Sequence, residues 1–291
     1  MSRTVTVGID GSRESLAAAD WAADEALSRD RLLRLVHVRS DDADVGTRHA
    51  DPETQRRWAE DLLHAAAQHV RSTRPDVRME TAHIRGDPVE SLTAAADTAE
   101  LLVLGSRGLG GVTGFIAGSV SLAVLARVSH PVVLVRVREP GEREPARTAG
   151  DVVLGLDLPR RGGDDALAFA FGCADRHGCG LRAVHSWSLP PVYGLGTADV
   201  LPVLREEVAA ERQRELEAAL APWSAKHPDI AVGGQSRQGR PAQDLVDAAR
   251  EARLLVVGLR HRSSRVGAHV GPVIHAVLHH AAAPVAIVPH D

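Results

Sequence analysis

The chain has 291 residues, 44% of them apolar and 25% charged, with a formal net charge of −4. Such a length holds two ordinary domains or one large one, with a core of useful size. The slight acidity and an aromatic content of 3% leave neither the basic surface nor the stacking platforms that nucleic acid or an anionic membrane requires of a main partner.

The opening "MSRTVTVGID" enters an apolar strand at once, with no basic segment followed by a long apolar stretch. No signal peptide is therefore expected. Strands are predicted at 4–10, 31–38, 77–84, 101–105 and 132–137, as short runs rich in Val, Leu and Ile with little alternation. That pattern belongs to strands buried on both faces. Helices are predicted at 14–28, 53–73, 88–98 and 118–128; in the first, Leu16, Ala19, Ala23 and Ala26 recur at helical spacing. Beyond the midpoint, Cys173 and Cys179 stand six positions apart, a spacing that is neither a redox pair nor half a zinc site. No run approaches the roughly 18 apolar residues that span a bilayer, so a cytoplasmic protein is expected.

The second half repeats the first. "TVTVGID" (4–10) returns as "DVVLGLD" (151–157), and "LVHV" (35–38) as "AVHS" (183–186). "GDPVESLTAAADTAELLVLGSRG" (86–108) returns as "GRPAQDLVDAAREARLLVVGLRH" (239–261), and "HPVVLV" (130–135) as "APVAIV" (283–288). Four matches in one order make a tandem of two similar domains. The boundaries are set at 1–138 and 151–291, joined by a charged, Pro- and Gly-bearing linker at 139–150. Alternating strands and helices imply an α/β fold: two tandem Rossmann-like domains, each a parallel sheet with helices on both faces. Ligands of such sheets lie beyond the carboxyl ends of the strands, where the strand order reverses. Two stretches fall there in the first half, "GIDGS" and the glycine-rich "GSRGLGGVTGFIAGSVS" (105–121).

A loop that leaves a strand and opens a helix presents free backbone N–H groups to an anion, and glycines let phosphate oxygens reach the main chain. Ser119 can cap the following helix or offer its hydroxyl, and Arg107 can add a charge-assisted contact. Neither standard fingerprint is present: no Lys follows the glycines, and Thr113 stands where a dinucleotide site needs its last glycine. The spacing Gly105-x-x-Gly108, nine residues, Gly118-Ser119 instead resembles the nucleotide-binding signature of the universal stress protein family. "VGIDGS", "VHV" and "HPVVLV" are similar to that family as well, over both halves. The resemblance implies five-stranded sheets of order 3-2-1-4-5 and an adenine-nucleotide site, with ATP as ligand and Mg²⁺ as its companion. It assigns Asp10 to the nucleotide's side, with Gly8 and Ile9 before it, and the backbone of Val38 to the adenine. Leu104, Gly105, Arg107, Gly108, Gly118, Ser119, Val120 and Ser121 line the phosphates. A carboxylate beside a triphosphate must bond a ribose hydroxyl or hold a cation; capping of the first helix is the competing role for Asp10, with Ser12 as its rival.

The second half departs from the signature. His261 stands where Gly108 stood, and Gly271-Pro272 replaces Gly118-Ser119. Pro has no N–H to give a phosphate, though it suits the first position of a helix. Weak or absent ATP binding is expected there, with Arg260, His261, Arg262 and Arg265, which could still attract an anion, the case against. His275 and His279 share a helix face, but no further ligand set accompanies them, and no metal site or catalytic residue is assigned. No G-x-S-x-G elbow is present either. The apolar strands at 131–137 and 284–288 are expected to pair as an intramolecular pseudo-dimer, with a homodimer as a further option. The reading is a regulatory nucleotide-binding protein acting through an unidentified protein partner. A slow ATPase using the same pocket and a nucleotide-free interaction module are its alternatives.

Overall fold

The computed structural model describes residues 4–39, 51–106, 119–137, 150–158, 163–188, 201–260 and 270–290. Two compact units divide the chain, one carrying the elements of the first half and one those of the second. The first unit runs β1 (Thr4–Gly8), α1 (Arg13–Ser28), β2 (Leu33–Arg39), α2 (Pro52–Thr73), β3 (Met79–Arg85), α3 (Pro88–Thr98), β4 (Ala99–Ser106), α4 (Ser119–Leu125) and β5 (Val132–Arg136). Every pairing is parallel: β2 joins β3, β1 joins β2 and β4, and β4 joins β5. The order is therefore 3-2-1-4-5, and the chain reverses direction across the sheet between β1 and β4.

The central strands are dry because most of their side chains are aliphatic, and the buried Thr6 hydroxyl is paired with that of Thr4 at 3.0 Å. Val5, Val7, Leu101, Leu102, Val103, Val132 and Val133 are fully buried, each contributing about 1.5–3 kcal/mol relative to exposure. α1 meets β1, β4 and β5 through Ala18, Ala19, Ala22, Ala23 and Ala26, small side chains that allow close approach. This face is wider than the spacing of Leu16, Ala19, Ala23 and Ala26 predicted, and Leu16 itself is only half-buried. α2 packs on β2 and β3 with Ala59, Leu63, Ala66, Ala67 and Val70, a stripe at three- and four-residue steps.

Each of these helices starts at a polar cap. Ser12 Oγ accepts from Ser15 N at 3.1 Å, Asp51 from Glu53 N and Thr54 N, and Asp87 from Glu90 N. Pro follows at the first helical position of α2 and α3, where its missing N–H costs nothing. β1 ends at Gly8, short of the predicted 4–10, because Gly11 takes a φ of +83° to turn the chain into α1. α4 is also shorter than predicted, ending at Leu125.

The second unit has the same plan: β6 (Val152–Gly155), α5 (Asp164–His177), β7 (Leu181–Trp187), α6 (Leu201–Lys226), β8 (Val232–Gln238), α7 (Pro241–Ala248), β9 (Leu254–Arg260), α8 (Pro272–His280) and β10 (Val285–His290). β7 pairs with β8 and β6, β6 with β9, and β9 with β10, all parallel. The equivalent reversal lies between β6 and β9. Among the described residues, no helix is long and apolar enough to cross a membrane.

Candidate functional site

The carboxyl ends of β2, β1 and β4 stand side by side, since Gly8 pairs with Val36 and Val7 with Val103. This brings Gly8, Val38 and Gly105 to one end of three adjacent strands, at the reversal of strand order. Ile9 and Leu104 are buried there, Val38 is half-buried and Asp10 is exposed. Across the reversal, α4 opens with an exposed Ser119 and a half-buried Val120. Ser121 is buried, its hydroxyl reaching toward the Gly105 carbonyl at 3.5 Å. Arg107, Gly108 and Gly118 lie outside the described residues.

Ser12 wins the competition to cap α1. Asp10 instead braces the cap: its Oδ1 accepts from Ser12 N at 2.9 Å and from the Ser12 hydroxyl. Ser15 closes the knot, donating its hydroxyl to Ser12 O at 3.0 Å and accepting from Asp10 N at 3.4 Å. An exposed carboxylate is thereby held against the first turn of α1.

Gly105 has a packing role that its place in the spaced glycine pattern does not convey. A Cβ there would lie 2.6 Å from the Glu14 carbonyl carbon, and 2.8 Å from both Glu14 O and Ser15 N. The end of β4 thus runs against the backbone of the first turn of α1, and only a residue without a side chain fits.

Sequence reasoning missed a second feature, His37. It is buried, and its Nδ1 lies 2.7 Å from the Ile9 carbonyl. A carbonyl only accepts, so Nδ1 carries the proton. The ring fastens the end of β2 to the residue just before Asp10. It stacks on His83 with centroids 5.9 Å apart and meets Trp58 edge-on at 5.7 Å. Burial, then the neighbouring His37 and Arg39, hold His83 below the usual imidazole range. The second unit repeats the fastening: His185 Nδ1 donates to Leu156 O at 2.9 Å, directly before Asp157. The signal was present in the recurring "VH" of "LVHV" and "AVHS".

The rest of the second crevice differs. Gly271 caps α8 with no side-chain bond, and Pro272 is its first helical residue. The carbonyl of Gly271 accepts from His275 N at 2.9 Å, so the proline is built into a regular helix start. Beside Gly258, the His290 ring lies 3.0–3.1 Å from where a Cβ would stand. At the position of Val38 stands Ser186, whose hydroxyl donates to Asp244 Oδ2 at 2.7 Å. Arg237 pairs with the same carboxylate at 2.8 Å. Asp157 remains exposed and Arg260 ends β9; His261, Arg262 and Arg265 lie outside the described residues.

The sequence model of the universal stress protein family matches residues 1–136 and again residues 150–289. The chain belongs to the universal stress protein family. One universal stress protein of Mycobacterium tuberculosis is 33% identical, over 97% of this chain and 96% of its own length. Another from the same organism is 30% identical, over 99% and 96%. The solved structure of a universal stress protein from Archaeoglobus fulgidus superposes with a TM-score of 0.71 at 20% identity, covering 99% of both chains. At that identity the likeness speaks for the fold. The tandem of universal stress protein domains is thus a property of the whole chain, and the asymmetry between its two crevices is the feature to explain.

Proposed function

We propose that this universal stress protein is a regulatory nucleotide-binding protein that holds ATP, with Mg²⁺, mainly in its first unit. The observation that carries the reading is the contrast at the helix that follows the fourth strand of each unit. The first unit opens α4 with the exposed hydroxyl of Ser119, whereas the second opens α8 with Pro272, which has neither N–H nor hydroxyl. Phosphate recognition at a helix start depends on those donors.

The remaining residues fit a nucleotide. The Asp10 carboxylate stands exposed at the crevice mouth with Oδ1 directed to Ser12, a group that serves a ribose hydroxyl or a divalent cation. Val38 offers main-chain groups to the base. Gly105, with Gly108 and Gly118 of the spaced pattern, offers main chain to the phosphates, and Arg107, Ser119, Val120 and Ser121 complete the set. In the second unit, Ser186 replaces Val38 and is tied to the Asp244 carboxylate, a charge that disfavours the same ligand. The nucleotide serves as the signal: bound ATP fixes the arrangement around α1 and α4 that a protein partner reads.

The test is a calorimetric titration of the nucleotide-free full chain with Mg-ATP. One site per chain, abolished by Gly118→Pro, is expected. Two sites would show that Pro272 is tolerated and would refute the asymmetry. Absence of heat at two temperatures would refute nucleotide binding itself.

A further inference from the structure

We propose that His275 and His279 form a binding site for one divalent transition-metal ion of the zinc type, on α8 of the second unit. The two residues stand four apart on the helix and share a face. Their Nε2 atoms are 3.3 Å apart, with ring centroids at 4.3 Å and planes inclined at 61°. With Zn–N bonds of about 2.0–2.1 Å, nitrogens at that separation subtend about 104–111° at a shared ion, which is the tetrahedral angle. In one tautomer the same two nitrogens can share a proton, which a bound ion would displace.

The surroundings agree. His279 is 4% exposed while His275 faces solvent, so the pair is anchored on one side and open on the other. The open side leaves room for water to complete four-coordination. The spacing of the halves puts Leu122, on α4, and Ala126, just after its end, at the equivalent positions 153 residues earlier. The first unit thus builds the equivalent segment without imidazoles. They sit on the helix that opens with Pro272, in the unit whose crevice has lost its phosphate donors. Imidazole pairs favour Zn²⁺, Ni²⁺ and Cu²⁺ over Mg²⁺ or Ca²⁺, which separates this site from the cation of a nucleotide. An ion bridging the pair staples the last turns of α8 and stabilises the fold in proportion to its occupancy.

The experiment titrates the chelator-treated, nucleotide-free full chain with Zn²⁺ against a chromophoric competitor, alongside thermal unfolding. One Zn²⁺ per chain and a melting temperature that rises with Zn²⁺ are expected. His275→Ala, an exposed position, should weaken binding by about tenfold or more. The double variant His275→Leu with His279→Ala installs the residues of the first unit and should remove both binding and the Zn²⁺-dependent rise. Cu²⁺ in place of Zn²⁺ should show two nitrogen ligands in its electron paramagnetic resonance spectrum, falling to one in His275→Ala. Failure of the parent to bind, or binding unchanged in both variants, overturns the proposal.

Discussion

Replacing Gly105 by Ala separates packing from ligand binding. The added carbon would sit 2.6 Å from the Glu14 carbonyl carbon, where ordinary contact begins at 3.4 Å. Main chain must therefore yield by the difference, about 0.8 Å, with backbone on both sides of the contact and no rotamer to absorb it. Overpacking of this kind costs about 1–3 kcal/mol, with backbone clashes at the upper end. In a unit of this size that is a fall of roughly 5–10 °C in melting temperature. Gly258→Ala is the control at the equivalent position. Among the described residues its Cβ would meet the edge of the His290 ring, at 3.0–3.1 Å, a side chain rather than main chain. A loss below about 1 kcal/mol is expected there. The assay is thermal unfolding followed by far-UV circular dichroism on nucleotide-free protein, so that no ligand effect enters. If Gly105→Ala melts within about 1 °C of the parent, or loses less than Gly258→Ala, the packing argument is wrong. The glycine would then matter to a ligand alone.

Three further outcomes are expected. Ser12→Ala removes the cap of α1 and the partner of Asp10, and should cost about 0.5–2 kcal/mol in urea unfolding; an unchanged midpoint would refute the capping role. His37→Leu leaves the Ile9 carbonyl without its donor, and should cost about 1–3 kcal/mol and weaken Mg-ATP binding; full affinity would show that the fastening does not serve the crevice. Burial pushes the Glu100 carboxyl up, but hydrogen bonds and charges from Arg31 and Arg29 outweigh it and hold the group below the ordinary value of 4.5. A depressed carboxylate stabilises the fold above that value and loses the contribution as pH falls through its folded pKa. Melting temperature should therefore drop below about pH 4.5, with a shallower drop in Glu100→Gln.

Strands β4 and β5 were legible because runs of Val and Leu with no polar alternation have one stable placement, inside a parallel sheet. Helix starts were legible where chemistry marks them, as at Asp87-Pro88, where the predicted and observed helix coincide at 88–98. The edge strand β3 was blurred because "METAHIR" is buried only in part, so its residues carry no clean period. At the site, the glycine pattern pointed to the end of β4 but not to the contact of Gly105 with the Glu14 backbone. A missing Cβ serves a phosphate and a helix equally, and spacing cannot tell them apart. His37 was passed over because a lone imidazole in an apolar strand looks like ordinary core.

The twin fastenings, His37 to Ile9 and His185 to Leu156, have a wider use. One polypeptide holds two copies of the same device, one beside a serine-opened helix and one beside a proline-opened helix. Each copy is the other's internal control, at equal concentration, temperature and purity. A residue needed for folding should show similar penalties in both copies, while one needed for ligand should show its penalty in the first alone. The duplication thus turns any paired mutation into a sorting experiment that a single-domain relative cannot provide.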